Sequence, residues 1–181
     1  QVECLDNLDS EWGACYTSYV RKRGGVIFEY SMENREGDLL VEQLKRNLFV
    51  QAGSNLMVRR HVVEELGGFD ESFTRNQDLE FMVRLLCKYK LAYVNEMGLA
   101  VNLHSGQVRS NPLFITQQFI DTFDSVISTL PVEQQRDILE TLALQDFRHK
   151  LLHLKAPIDA YSMVVKKDIS FVRMIKYILY L

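Results

Sequence analysis

The sequence predicts an α/β region over about residues 1–110, followed by an all-helical extension over 111–181. Three observations carry this. Runs of β-branched and aromatic residues bounded by turn signals alternate with helical spacing in the first part. Each of the three prolines of the second part, Pro112, Pro131 and Pro157, opens a stretch with helical character. No apolar run is long enough to cross a bilayer.

The elements come in this order. Residues 1–10 read as the end of a helix, with Val2, Leu5 and Leu8 on one face. "WGACYTSYV" (12–20) has strand composition, "RKRGG" (21–25) is a turn signal, and "VIFEY" (26–30) is a second strand. After Gly37, "DLLVEQLKRN" spaces Leu39, Leu40, Leu44 and Leu48 as an amphipathic helix. A short strand is expected around Ser54 to Val58. "RRHVVEELGGF" reads as a short helix stopped by Gly67. A helix from Asp78 to about Tyr89 buries Leu79, Met82, Val83, Leu85 and Leu86, and "LAYVNE" and "LAVNLH" are two further strands. The chain closes on "SFVRMIKYILYL", amphipathic, with Arg173 and Lys176 set against Phe171, Met174, Ile175 and Ile178.

Bulk properties exclude some functions. A length of 181 residues suffices for a real core, and the apolar and charged fractions are ordinary for a globular chain. A net charge of −3 argues against a general nucleic-acid footprint. The three cysteines, Cys4, Cys15 and Cys87, have no metal spacing and read as free thiols in a reducing compartment. The first residues read as mid-helix and the chain does not begin with Met, so a fragment of a longer protein is expected.

The stretch "GGFDESFTRNQDLEF" (67–81) raises the chemical question. As structure, Gly67 and Gly68 close a helix, Phe69 plugs the core, and Asp70 or Glu71 caps the next segment. Asp78 is then a first-turn carboxylate favoured by the helix macrodipole. As function, a carboxylate at a helix start can face a cleft and accept a proton from a hydroxyl. Spacing leaves both readings open.

The order of "WGACYTSYV", "NLFVQAGSNLMVRR", "HVVEELGGFDESFTRNQDLEFMVRLLCKY" and "KLAYVNEMGLAVNLHSGQVRS" resembles the second half of a family 2 glycosyltransferase with the GT-A nucleotide-sugar fold. The resemblance implies a partial GT-A-like domain over 1–110, lacking the donor-binding half, with 111–181 a helical extension. It implies that Asp78 is the acceptor base of the family's "ED" motif, with Gln77 in place of the Glu. It sets Gly53, Ser54 and Asn55 on a strand lining the acceptor side. It makes Asp70 and Glu71 structural, and brings His104 towards a metal-diphosphate. The implied activity is inverting transfer of a sugar, of hexosyltransferase type, from a nucleotide-sugar donor to a saccharide or lipid-linked acceptor. The setting would be bacterial surface-polysaccharide synthesis, in the cytoplasm or at the inner face of the membrane. A divalent cation, manganese or magnesium, is expected in the full-length enzyme. No paired-aspartate "DxD" ligand set occurs in residues 1–181, so this portion alone is expected to be inactive. The "QxxRW" signature of processive synthases is also missing, since Gln107 is followed by "VRSN".

The alternative is a non-catalytic interaction module derived from that fold. The cluster Lys166, Lys167, Arg173 and Lys176 reads as a solvated face, or as a dock for anionic lipid. The apolar side of the same helix closes the core or a homodimer. An uncovered sheet edge likewise predicts self-association.

Overall fold

The computed structural model describes residues 1–103, 112–152, 156–167 and 169–179, with backbone alone at 112–115, 163, 176, 178 and 179. The chain divides into two units, 1–108 and 109–181.

In the first unit a short helix α1 (Val2–Asp6) leads into β1 (Trp12–Arg23). From Gly13 to Val20 every residue of β1 is buried, the mark of a central strand covered on both faces. Its antiparallel neighbours are β2 (Val26–Tyr30) and the two-residue β3 (Met57–Val58). On its other edge β1 pairs in parallel with β4 (Lys90–Leu103) along nearly its whole length. β2 and β3 therefore share one edge of β1, β2 at its end and β3 near its start. The mixed α/β class is as the sequence predicts. The two expected strands around 91–96 and 99–104 are one continuous β4 over the described residues, and irregular register steps absorb the polar interruption.

Strand alternation sends Ala14 and Tyr16 to one face and Cys15 to the other. Cys15 packs with Leu5 of α1 and Ala92 of β4. Ala14 and Tyr16 pack on the main core, whose other walls come from α4 (Arg60–Leu66) and α5 (Gln77–Leu86). Phe81, Met82, Leu85 and Leu86 of α5 supply its buried stripe, at the helical spacing of one face. Burial pushes the Cys15 thiol up to about 11, so it stays protonated and unreactive. All three cysteines are free thiols.

Several local expectations are corrected. The helix after Gly37 is only α2 (Leu40–Leu44), and Arg46 leaves helical geometry at φ 52°. The segment expected as a strand from Ser54 is instead a single helical turn, α3 (Ala52–Asn55), before β3. The side chain of Asn55 is drawn inward to β1, and this bends the backbone away from an extended course. Phe69 does not plug the core and is 57 % exposed; Phe73 is the buried ring, at 1 %. Gly67 and Gly68, both at positive φ, swing the chain outward after α4. Asp70 then accepts the Ser72 N–H at 2.8 Å, and this turn returns Phe73 to the interior.

The second unit holds α6 (Pro112–Thr129), α7 (Val132–Leu152), α8 (Pro157–Lys166) and α9 (Phe171–Leu179). Ala143, Leu144 and Phe147 of α7 pack with Ala160, Val164, Ile169 and Met174. α9 thus lends part of its apolar side to this core. No helix among the described residues is long and apolar enough to cross a membrane.

Candidate functional site

Two helix starts meet in the first unit. Gln51, immediately before α3, has φ 54°, and Asn76, immediately before α5, has φ 60°. Left-handed backbone is uncommon for residues other than glycine and costs on the order of 1–2 kcal/mol each, less for Asn. Here it turns the two short approaches so that the first turn of α5 faces the first turn of α3. Asp78 Oδ2 accepts the backbone N–H of Gly53 at 3.1 Å. Gly53 is exposed and its position is tight: a β-carbon there would lie 3.2 Å from the same carboxylate oxygen.

Asp78 is therefore not the N-cap of its own helix. It sits in the first turn of α5, where the macrodipole favours a negative charge, and satisfies a donor of a different helix. Its second oxygen, Oδ1, has no hydrogen-bond partner among the described residues. The side chain is half-buried. One oxygen is fixed and the other is open, the arrangement a proton acceptor needs.

Of the remaining sequence candidates, Ser54 is exposed on α3, and Gln77 is half-buried beside Asp78. Asn55 is brought near in sequence but turned away. It is buried, and all its polar atoms are used internally. Its Oδ1 accepts from Thr17 Oγ1 at 2.5 Å and from Thr17 N at 3.3 Å. Its Nδ2 donates to Thr17 O at 2.6 Å and to Val50 O at 3.1 Å. Asn55 ties α3 to β1 and has no free group for an acceptor, so of the three residues expected on a strand lining the acceptor side this one is turned inward from a helical turn. His104 lies outside the described residues.

The "GGFDE" loop is structural. Arg84 forms an ion pair with the buried Glu80, one turn earlier in α5, at 2.5 Å. Its other nitrogens donate to Leu66 O and Gly68 O, so one guanidinium closes the end of α4 and the glycine turn. The i,i+4 spacing of Arg84 from Glu80 is the signal of this ion pair in the sequence.

A groove of about 620 Å³ lies in the same unit, and nothing in the motifs announces it. Tyr19, Tyr30 and Phe49 line it together with Arg21, Asn34 and Arg35. Its floor is pinned by Glu33, which accepts from Arg35 Nη2 at 2.6 Å and from Phe49 N at 3.1 Å. Burial alone would raise the Glu33 carboxyl. Hydrogen bonds from Arg35 and from backbone N–H groups outweigh it and hold the group below the ordinary value. From Phe49 on the groove wall to Gly53 at the carboxylate is four residues, a reach of at most about 14 Å.

Among the described residues no group of three His, Cys, Asp or Glu side chains could hold a metal ion. The described residues alone supply no ligand set for the expected divalent cation.

The mixed sheet with its covering helices defines the class: an α/β domain, followed by a helical region. The family model for glycosyltransferase-like family 2 matches residues 13–166, and the chain belongs to that family. The match covers most of the chain and runs through both units. Comparison with functionally characterised proteins returns no match. Family membership gives a glycosyltransferase-type function, with a nucleotide-sugar donor and an acceptor as substrates. Enzymes of this family often use divalent cations.

Proposed function

We propose that this chain carries the acceptor-activating side of an inverting sugar transfer, with Asp78 as general base. The observation that carries the reading is the asymmetry of its carboxylate. Oδ2 is held by the Gly53 N–H, and Oδ1 has no hydrogen-bond partner among the described residues. The acceptor O–H gives its proton to Oδ1 as its oxygen forms a bond to the anomeric carbon. The bond from that carbon to the diphosphate oxygen breaks on the opposite face, and its electron pair leaves with the nucleoside diphosphate. Such proton removal is worth about 10²–10⁴ in rate. Holding acceptor and donor in one cleft supplies a further large share.

The acceptor is a saccharide or a lipid-linked saccharide in this reading. Tyr30 and Phe49 offer apolar ring faces, and Asn34 and Arg21 offer polar groups, a mixture that suits a sugar's alternating C–H and hydroxyl surfaces. Gly53, Ser54 and Gln77 flank the attacking hydroxyl. The setting is bacterial surface-polysaccharide synthesis at the cytoplasmic side of the membrane, where nucleotide sugars are made.

The test is transfer by the intact polypeptide, assayed with a panel of activated sugars, with and without manganese. Asp78→Asn keeps an oxygen for the Gly53 N–H but removes the base. It should abolish transfer and lower the melting temperature by only a few degrees. Near-normal turnover by this variant would remove Asp78 from the mechanism. No transfer by the unmodified protein with any donor would favour an interaction module derived from the fold.

A further inference from the structure

The hairpin of β1 and β2 ends in a feature the transfer reading does not use. Arg23 and Val26 face each other across a two-residue turn, Gly24–Gly25, with both glycines at positive φ. A β-carbon on either glycine would meet nothing within 4 Å among the described residues. A register step between Arg21 and Lys22 leaves Phe28 as the extra residue of a bulge. The apolar side chains here are uncovered: Val26 is 69 % exposed, Ile27 39 % and Phe28 49 %. Val26 and Ile27 are strand neighbours and point to opposite faces, so both faces of the ribbon are bare.

Three cations sit on the facing strand. Arg21 is paired with Glu29 at 3.1 Å. Lys22 and Arg23 have no carboxylate partner among the described residues. The Arg23 guanidinium lies 5.2 Å from the centre of the Phe28 ring, charge and aromatic side by side at the tip. The whole chain carries −3, so this positive end is a local departure from an otherwise acidic molecule.

We infer that this hairpin tip is a membrane-docking element for anionic bilayers: Lys22 and Arg23 meet the headgroups, and Val26, Ile27 and Phe28 enter the interface. Charge complementarity and two-sided exposure select this occupant. A second copy pairing in parallel along β2 would bring two positive tips together. A folded partner would cover one face of the ribbon and leave the other wet, whereas an interface of lipid surrounds it. The helical unit also exposes apolar side chains, Phe171 and Val172 among them, but part of its positive charge is neutralised. Arg173 there is held by Asp137 and by Glu140, and Met174 is buried.

The experiment is co-sedimentation of the full chain with vesicles of phosphatidylcholine alone, or of equal parts phosphatidylcholine and phosphatidylglycerol. The unmodified protein should sediment with the mixed vesicles, not with neutral ones, and should be released as salt rises. V26S/F28S and K22E/R23E should each lower the partition coefficient about tenfold or more, with circular dichroism and unfolding midpoint unchanged. Three results overturn the inference. One is no sedimentation with the mixed vesicles. The second is equal partitioning by unmodified protein and hairpin variants, including the case in which K166E/K167E alone abolishes it. The third is a dimer in analytical ultracentrifugation that V26S/F28S converts to monomer without any lipid binding.

Discussion

Replacing Asn55 by alanine removes one side chain that makes four contacts in a buried place. Thr17 Oγ1, Thr17 O and Val50 O lose bonds of 2.5, 2.6 and 3.1 Å at once, and Thr17 N loses a longer one of 3.3 Å. A buried polar group left without a partner costs about 1–3 kcal/mol. Some relaxation and water penetration will offset part of this, so three orphaned groups come to about 3–5 kcal/mol. That is a large part of the roughly 5–15 kcal/mol that holds a domain folded. The assay is urea unfolding followed by tryptophan fluorescence. Trp12 is the sole tryptophan and stands at the start of β1, so the signal reports on the first unit. With a slope of about 2 kcal/mol per molar urea, the midpoint should fall by about 2 M. A double variant adding Thr17→Val removes one orphaned hydroxyl and should show a coupling of about 1 kcal/mol with Asn55→Ala. A midpoint shift under about 0.5 M, with a raised KM for acceptor, would refute the reasoning and return Asn55 to the acceptor side.

Other outcomes can be checked by the same unfolding measurements. Arg84→Ala strips the buried Glu80 of its ion pair and Leu66 O and Gly68 O of their donor, and should cost about 3 kcal/mol. Gly98→Ala should cost about 1–3 kcal/mol, because the new methyl would lie 3.0 Å from Thr17 Cβ and closer still to Oγ1, which Asn55 already holds. Glu33→Gln should destabilise in a pH-dependent way. The native Glu33 carboxyl lies below its ordinary value, so its contribution is present above the unfolded pKa of about 4.3 and is lost as pH falls through the folded one. The gap in urea midpoint between native protein and E33Q should be full at neutral pH and should narrow in acid. A gap that widens in acid would reverse the assigned cause.

The features legible in the sequence are those that local chemistry decides. The β1–β2 hairpin announces itself through Gly24–Gly25 between β-branched runs, although β1 continues through the basic triplet to Arg23. α5 is expected from the spacing of Met82, Leu85 and Leu86, and α8 from Pro157. The features the sequence hides depend on partners far along the chain. "GSN" is a short polar stretch before an apolar pair, and nothing in it reveals that Asn55 is bonded to residue 17 and so closes a helical turn. Phe69 and Phe73 look alike in a glycine-rich loop. Only the outward swing at Gly67–Gly68 decides which ring is buried. The groove at Glu33 joins residues 19 to 49 with no motif among them, and no spacing rule could have assembled it.

In the sequence, Asp78 poses a choice between a helix-start carboxylate and a chemical base, and its geometry makes the two compatible. Its structural task needs only one acceptor oxygen, aimed at Gly53. Asparagine supplies that oxygen and alanine does not. Asp78→Asn forfeits the interaction of a charge with the α5 dipole, about 0.3–1 kcal/mol at an exposed helix start. Asp78→Ala also loses a charge-assisted bond of roughly 1.5–3 kcal/mol and frees the α3 N-terminus. In a unit of about this size 1 kcal/mol moves the melting temperature by roughly 4–8 °C. Asn should therefore lower it by a few degrees and Ala by about 10 °C or more. If both variants lose transfer while only Ala loses this much stability, the open oxygen does chemistry that the anchored one does not. If Asn retains transfer and Ala loses it, the carboxylate is a tether, and the proton must leave the acceptor by another route.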